Sequence, residues 1–137
     1  MKKVFVDTGA WIALAERNDV HHLQACAFAD QLRRENAILI TSDYVIDETI
    51  TWLRYNASHK VATDFATQVV SSDVTEIIYV DETNFNHAVE LFIKYDDQKF
   101  SFTDCSSFIL MRSNRIKQAF SFDAHFLTAG FELLRQS

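Results

Sequence analysis

The 137-residue chain has no proline and two glycines, against about seven and about ten at average usage. These residues supply most of the backbone conformations that tight hairpin turns need. A chain so poor in both builds few hairpins, which argues against an all-β sandwich and for helices joined by short links. The length predicts one domain over residues 1–137. A folded chain of this size hides about two thirds of the surface its unfolded form exposes, enough for a core without disulfides or a structural metal. Hydrophobic residues make up 48% and charged residues 23%, which excludes a disordered chain. No repeat, linker or low-complexity tract divides it.

Cys26 and Cys105 form neither a C-x-x-C pair nor a zinc spacing, so two free thiols are expected. The basic start leads into an apolar run that stops at Asp7, too short for the core of a signal peptide. No stretch approaches 18 apolar residues. A cytoplasmic protein without a membrane segment is the expectation.

Along the chain, short apolar runs alternate with helical patterns. Strands are predicted over 4–6, 37–41, 76–80 and 118–122, with a short fifth over 131–134. Helices are predicted over 10–17, 20–36 (with Asp19 as N-cap and Leu23, Ala27, Phe28 and Leu32 on one face), from Ser42 or Asp43 to about 57, 60–71, 82–95, and 104–115 with Thr103 as N-cap. Buried strands alternating with helices give an α/β fold on a mostly parallel sheet of four to five strands. In such sheets the functional crevice lies beyond the carboxyl ends of the strands.

Four acids fall at those ends. Asp7 follows the first strand, Asp123 follows the fourth, Asp104 lies in the first turn of its helix, and Glu48 lies about one turn into the helix after the second strand. Helical geometry separates Glu48 from Asp47. Asp47 shares a polar stripe with Asp43, Thr51 and Arg54, whereas Glu48 neighbours Tyr44, Val45 and Trp52. A solvated charge prefers the first setting, so Glu48 is the candidate and Asp47 a surface acid. Each of the other three alone fits a cap or turn. Together, at one rim, they would repel unless protons or cations neutralise them. Carboxylates without His or Cys partners suit a hard ion such as Mg²⁺ or Mn²⁺, one or two in number, and such a site suits phosphodiester hydrolysis by metal-activated water.

These acids sit in blocks that resemble the PIN-domain ribonucleases, specifically the VapC-type toxins of bacterial toxin–antitoxin pairs. The blocks are Val4 to Trp11 around Asp7, Asp43 to Thr49 around Glu48, Phe100 to Phe108 around Asp104, and Phe120 to Phe131 around Asp123. The likeness implies a three-layer α/β/α fold, a Mg²⁺- or Mn²⁺-dependent endoribonuclease leaving 5′-phosphate and 3′-hydroxyl ends, and Asp7, Glu48, Asp104 and Asp123 as catalytic and metal-binding acids. It also implies an RNA substrate, a small antitoxin that fills the acidic groove with a basic side chain, and a homodimer. Thr8 and Thr103 resemble the hydroxyl residues that accompany these acids.

The net charge of −6, from 13 basic and 19 acidic residues, is an unpromising footprint for nucleic acid. Setting the four acids aside leaves 13 against 15, close to neutral, which predicts modest RNA affinity with a shallow salt slope. Candidate phosphate contacts are Arg112, Arg115 and Lys117, or Lys94 and Lys99. His125, two residues after Asp123, is a candidate contact to substrate rather than a metal ligand. Cys105 reads as a buried thiol, and the twelve phenylalanines as core, with Phe126 and Phe131 available for a dimer face.

Three rival functions stay open at this level. A phospho-signalling receiver domain also gathers acids and Mg²⁺ at parallel strand ends, but it needs a Lys at the end of its last long strand, where this chain has Phe122-Asp123. A non-catalytic RNA-binding domain has no use for four intact acids. A free-standing PIN nuclease differs only in lacking an antitoxin.

Overall fold

The strand Lys3–Val6 (β1) carries Val4, Phe5 and Val6, all completely buried, so it must be covered on both faces. The computed structural model, which describes residues 1–135, covers it. The further elements are α1 (Thr8–Ala15), α2 (His22–Arg34), β2 (Ile38–Ser42), α3 (Asp43–Asn56), α4 (His59–Ser71), β3 (Thr75–Ile78), α5 (Glu82–Lys94), α6 (Phe102–Ser113), β4 (Gln118–Phe120), α7 (His125–Thr128) and β5 (Glu132–Leu133). All the strands are parallel, in the order β3-β2-β1-β4-β5. The chain winds outward from β1 to β3, then returns to the other side of β1 for β4 and β5. Right-handed crossovers in opposite directions place α1–α4 on one face and α5–α7 on the other, the three-layer arrangement that the family resemblance implies. The winding reverses between β1 and β4, so the crevice opens at their carboxyl ends.

The shortage of glycine leaves a mark on how helices end. Three helices close with the same paired bonds and run straight into a strand. In α2, the Ala37 N–H donates to the Leu32 carbonyl and Asn36 to Arg33; in α6, Ile116 donates to Met111 and Arg115 to Arg112; in α7, Phe131 donates to Phe126 and Gly130 to Leu127. The motif needs a left-handed residue, and only α7 has glycine there, at φ 101°. Asn36 and Arg115 take the same role at φ 55° and 56°.

Several expectations change in detail. Helix α2 starts at His22, because Asp19 spends its carboxylate on the His21 N–H (2.8 Å) in a turn instead of capping a helix. Its buried face is Ala25, Phe28 and Leu32, while Leu23 is 84% exposed and Ala27 is also outside. Ser42, not Asp43, caps α3 by accepting from the Val45 N–H; Asp43 instead accepts from the Val80 N–H. Helix α6 begins two residues early, with Ser101 rather than Thr103 as its cap. Helix α7 falls where no helix is expected. Phe108 and Phe126, with rings 5.1 Å apart, are fully buried in the core, Phe126 against Phe5, while Phe120 packs on Phe28 of α2. Phe126 is therefore unavailable for a dimer face, whereas Phe85 and Phe92 on α5 remain about half exposed against Phe102. Among the described residues, no helix is long and apolar enough to cross a membrane.

Candidate active site

Strands β1 and β4 pair with Val6 opposite Phe120, so the next residues, Asp7 and Ser121, emerge side by side. The Asp7 N–H donates to the Phe120 carbonyl (3.1 Å). The Ser121 hydroxyl donates to Asp7 Oδ2 (3.1 Å), and its oxygen accepts from the Asp123 N–H (3.3 Å). Asp7 stands at the N-cap position of α1, yet its side chain makes no capping bond. The carboxylate is thus buried without the usual structural use of an aspartate there. Burial first, then the charges of Asp123 and Asp104, push its pKa up from 3.8 to about 7, against the opposing pull of the Thr8 N–H and the Ser121 hydroxyl.

Asp104 is reached through the cap of α6. Its N–H donates to Ser101 Oγ (2.9 Å), and its Oδ2 accepts from the Ser101 N–H (3.0 Å). This reciprocal capping box gives Asp104 a structural role as well as a place at the rim. The His125 ring lies across the same oxygen, with Nδ1 3.0 Å from Asp104 Oδ2. A carboxylate only accepts, so in this contact Nδ1 carries the proton. Asp123 Oδ1 accepts from the His125 N–H (2.8 Å) and lies 3.7 Å from Nδ1. His125 thereby links Asp104 to Asp123, and Ser121 links Asp123 to Asp7. Neither link is readable from composition. Ser121 has a signal in the sequence all the same, since period-two alternation carried past β4 puts Ser121 and Asp123 on one side.

Glu48 is placed differently. It is exposed on α3 and is not among the charges that act on Asp7. It lines a neighbouring open groove of about 520 Å³ with Tyr44, Asp47, Thr51, Trp52, Tyr55, Asn56 and Thr103. The stripe Tyr44-Glu48-Trp52 is as the sequence predicts, but Asp47 lines the same groove. Thr103, on the far wall, precedes Asp104 in the first turn of α6.

The donor set suits a hard cation. It is made of carboxylate oxygens, and Thr8 Oγ1, next to Asp7, is buried without a hydrogen-bond partner. Among the described residues, no three acids, histidines or cysteines stand close enough to form a finished cage. The acids lean instead on Ser121, Ser101 and His125. Cys105 is completely buried, and burial followed by the Asp104 charge raises its thiol to about 11. It stays protonated and has no nucleophilic use here.

The cations divide between two ends of the molecule. Lys99 lies in the 95–101 loop, which leads into the Ser101–Asp104 capping box, and Lys94 ends α5 ahead of that loop. Arg112, Arg115 and Lys117 lie at the opposite end of α6, whose 12 residues span about 18 Å. Arg112 is engaged there over the Phe131 ring and donates to the Ala129 carbonyl.

A PIN-domain family model matches residues 4–132. The 23S rRNA-specific endonuclease VapC20 of Mycobacterium tuberculosis is 32% identical over 133 residues, covering 96% of this chain and 98% of that one. A VapC ribonuclease of Archaeoglobus fulgidus is 30% identical over 124 residues, covering 88% and 77%. The crystal structure of VapC20, described as a sarcin-ricin loop cleaving toxin, superposes with a TM-score of 0.84 over 93% of this chain and 95% of that one. FitAcB from Neisseria gonorrhoeae, 14% identical and covering 96% of both, shares the fold with a TM-score of 0.67. A parallel sheet wound both ways from β1, Asp7 and Asp123 just beyond the ends of β1 and β4, and these relatives over nearly the full length lead to one assignment: the chain belongs to the PIN-domain family, among its VapC-type members.

Proposed function

We propose that this protein is a divalent-cation-dependent endoribonuclease acting as the toxin of a toxin–antitoxin pair, with Asp7, Glu48, Asp104 and Asp123 as its functional acids. The observation that carries the reading is Asp7, a buried carboxylate without a capping role, held beside two further acids at the switch point of the sheet. PIN-domain nucleases depend in general on divalent metal. Here Asp7, Asp104 and Asp123 would hold one or two Mg²⁺ or Mn²⁺ ions, with Glu48 approaching from α3. Bound there, such an ion polarises a phosphoryl oxygen and acidifies a water.

The chain's own residues do the rest. Ser121 and the capping box hold Asp7 and Asp104 in fixed positions, so little ordering remains to be done when substrate arrives. Their burial keeps the local dielectric low, where charge acts strongly on a phosphate. Lys99, in the loop that leads into the Asp104 capping box, is the cation we expect to meet the RNA backbone, ahead of Arg112, Arg115 and Lys117 at the far end of α6. The names of the relatives support RNA as substrate; an RNA structured overall and single-stranded at the cut is our expectation. The partner set is completed by a small antitoxin, whose basic side chain would satisfy the acids, and by a second copy. The half-exposed Phe85 and Phe92 of α5 offer the second copy an apolar surface.

Expression in cells tests the reading. Wild type is expected to arrest growth and to create new RNA 5′ ends, mapped by sequencing, at a small number of sites. Asp7→Asn at equal abundance should produce neither. Full expression of folded wild type with an unchanged RNA population contradicts the proposal.

A further inference from the structure

The α3 groove is built from two adjacent helical stripes, Tyr44-Glu48-Trp52-Asn56 and Asp47-Thr51-Tyr55. Tyr55 is 83% exposed and Trp52 is 37% exposed, although both sit on a well-packed helix. Single exposed aromatics are ordinary. Several aromatics on neighbouring stripes, interleaved with two carboxylates and no cation, are a more specific arrangement. Phosphates would be repelled here. An apolar partner face would bury Asp47 and Glu48 without compensation. An occupant with a flat π-face and N–H donors on its edge satisfies both features, and unstacked nucleobases have this form. Guanine presents two adjacent donors, N1–H and N2–H, that match one carboxylate; adenine and cytosine present a single amino group. Thr51 donates to Asp47 Oδ1 (3.4 Å) across the two exposed positions, leaving the other carboxylate oxygen free for a ligand. Thr103, on the far wall, adjoins Asp104, so the groove runs up to the acid cluster.

We propose that this groove binds an unstacked guanine of the RNA substrate, with its ring against Trp52 and Tyr55 and its Watson–Crick edge on Asp47. The inference rests on the ribonuclease reading and adds to it the base that the protein selects beside the cut. Asp47, Trp52 and Tyr55 are then specificity-determining residues and take no part in the chemistry.

The test uses oligouridine carrying one central guanine, inosine or adenine, with wild-type protein at fixed ionic strength and without metal, so that binding is read apart from cleavage. Trp52 fluorescence should be quenched at least about fivefold more tightly by the guanine oligomer than by adenine, with inosine, which lacks N2–H, in between. The quench should vanish in Trp52→Phe, where the buried Trp11 remains as control. Tyr55→Ala should raise KM for cleavage at least about tenfold with kcat changed less than about threefold. Asp47→Asn should abolish the guanine preference. Equal quenching by all three oligomers overturns the proposal, as does an unchanged KM in Tyr55→Ala. A change of oligomeric state in Tyr55→Ala, seen by sedimentation, also overturns it by assigning the groove to a second copy. Guanine-selective quenching by a wild type that cleaves no RNA upholds the groove and rejects the nuclease.

Discussion

Asp7→Asn is expected to lower RNA cleavage by at least about 10³-fold while raising the melting temperature of the metal-free protein at pH 7. The two effects come from one cause. Asp7 is buried beside Asp104 and Asp123, and its ionised form is disfavoured enough to move its pKa from 3.8 to about 7. That shift corresponds to an upper figure of about 4 kcal/mol against the ionised side chain at neutral pH. Asparagine keeps the shape and removes the charge. Its amide must still find partners, so a gain of about 2 kcal/mol, roughly 5–8 °C, is the expectation. Thermal melts and a cleavage assay on the same preparation check it. A variant that loses both stability and activity would show Asp7 to be a structural residue.

The same carboxyl sets a pH dependence of stability with a definite sign. A group whose folded pKa is raised contributes stability that is full below the unfolded value and disappears as pH climbs through the folded one. For Asp7 the window runs from about 4 to about 7. The metal-free protein should therefore melt at progressively lower temperature across that window, relative to Asp7→Asn, in which this contribution is missing. Cys105 has the same sign but acts only between about 9 and about 11, outside the window. Millimolar Mg²⁺ or Mn²⁺ at pH 7.5 should restore wild type and leave Asp7→Asn nearly unmoved. Parallel pH profiles for the two proteins would contradict the account.

The sequence makes the strands legible because Val4 to Val6 and Ala37 to Thr41 are continuous apolar runs, and the parallel order follows from their alternation with helices. The acids are legible by position, at the ends of such runs. What lies between them is not. The Ser121 bridge depends on β1 and β4 being neighbours in register, a pairing across 114 residues. The His125 contact depends on α7, a single turn too short to leave a periodic signal. Glu48 and Asp47 differ in helical stripe as expected, but an open groove admits both stripes. The face of α2 is misread because Leu23 is more hydrophobic than Ala25, although Ala25 is the residue that packs. Local pattern identifies elements, while long-range pairing decides which polar groups meet.

The central claim is that Asp7, Asp104 and Asp123 act as one cation site. Mn²⁺ titration of folded wild type and Asp104→Asn at pH 7, by calorimetry in two buffers of different ionisation enthalpy, tests it most directly. Wild type should bind with release of about half a proton, as expected for a carboxyl titrating near 7. Asp104→Asn should bind at least about 100-fold more weakly. Equal affinity in the two proteins, or binding without proton release, would contradict it.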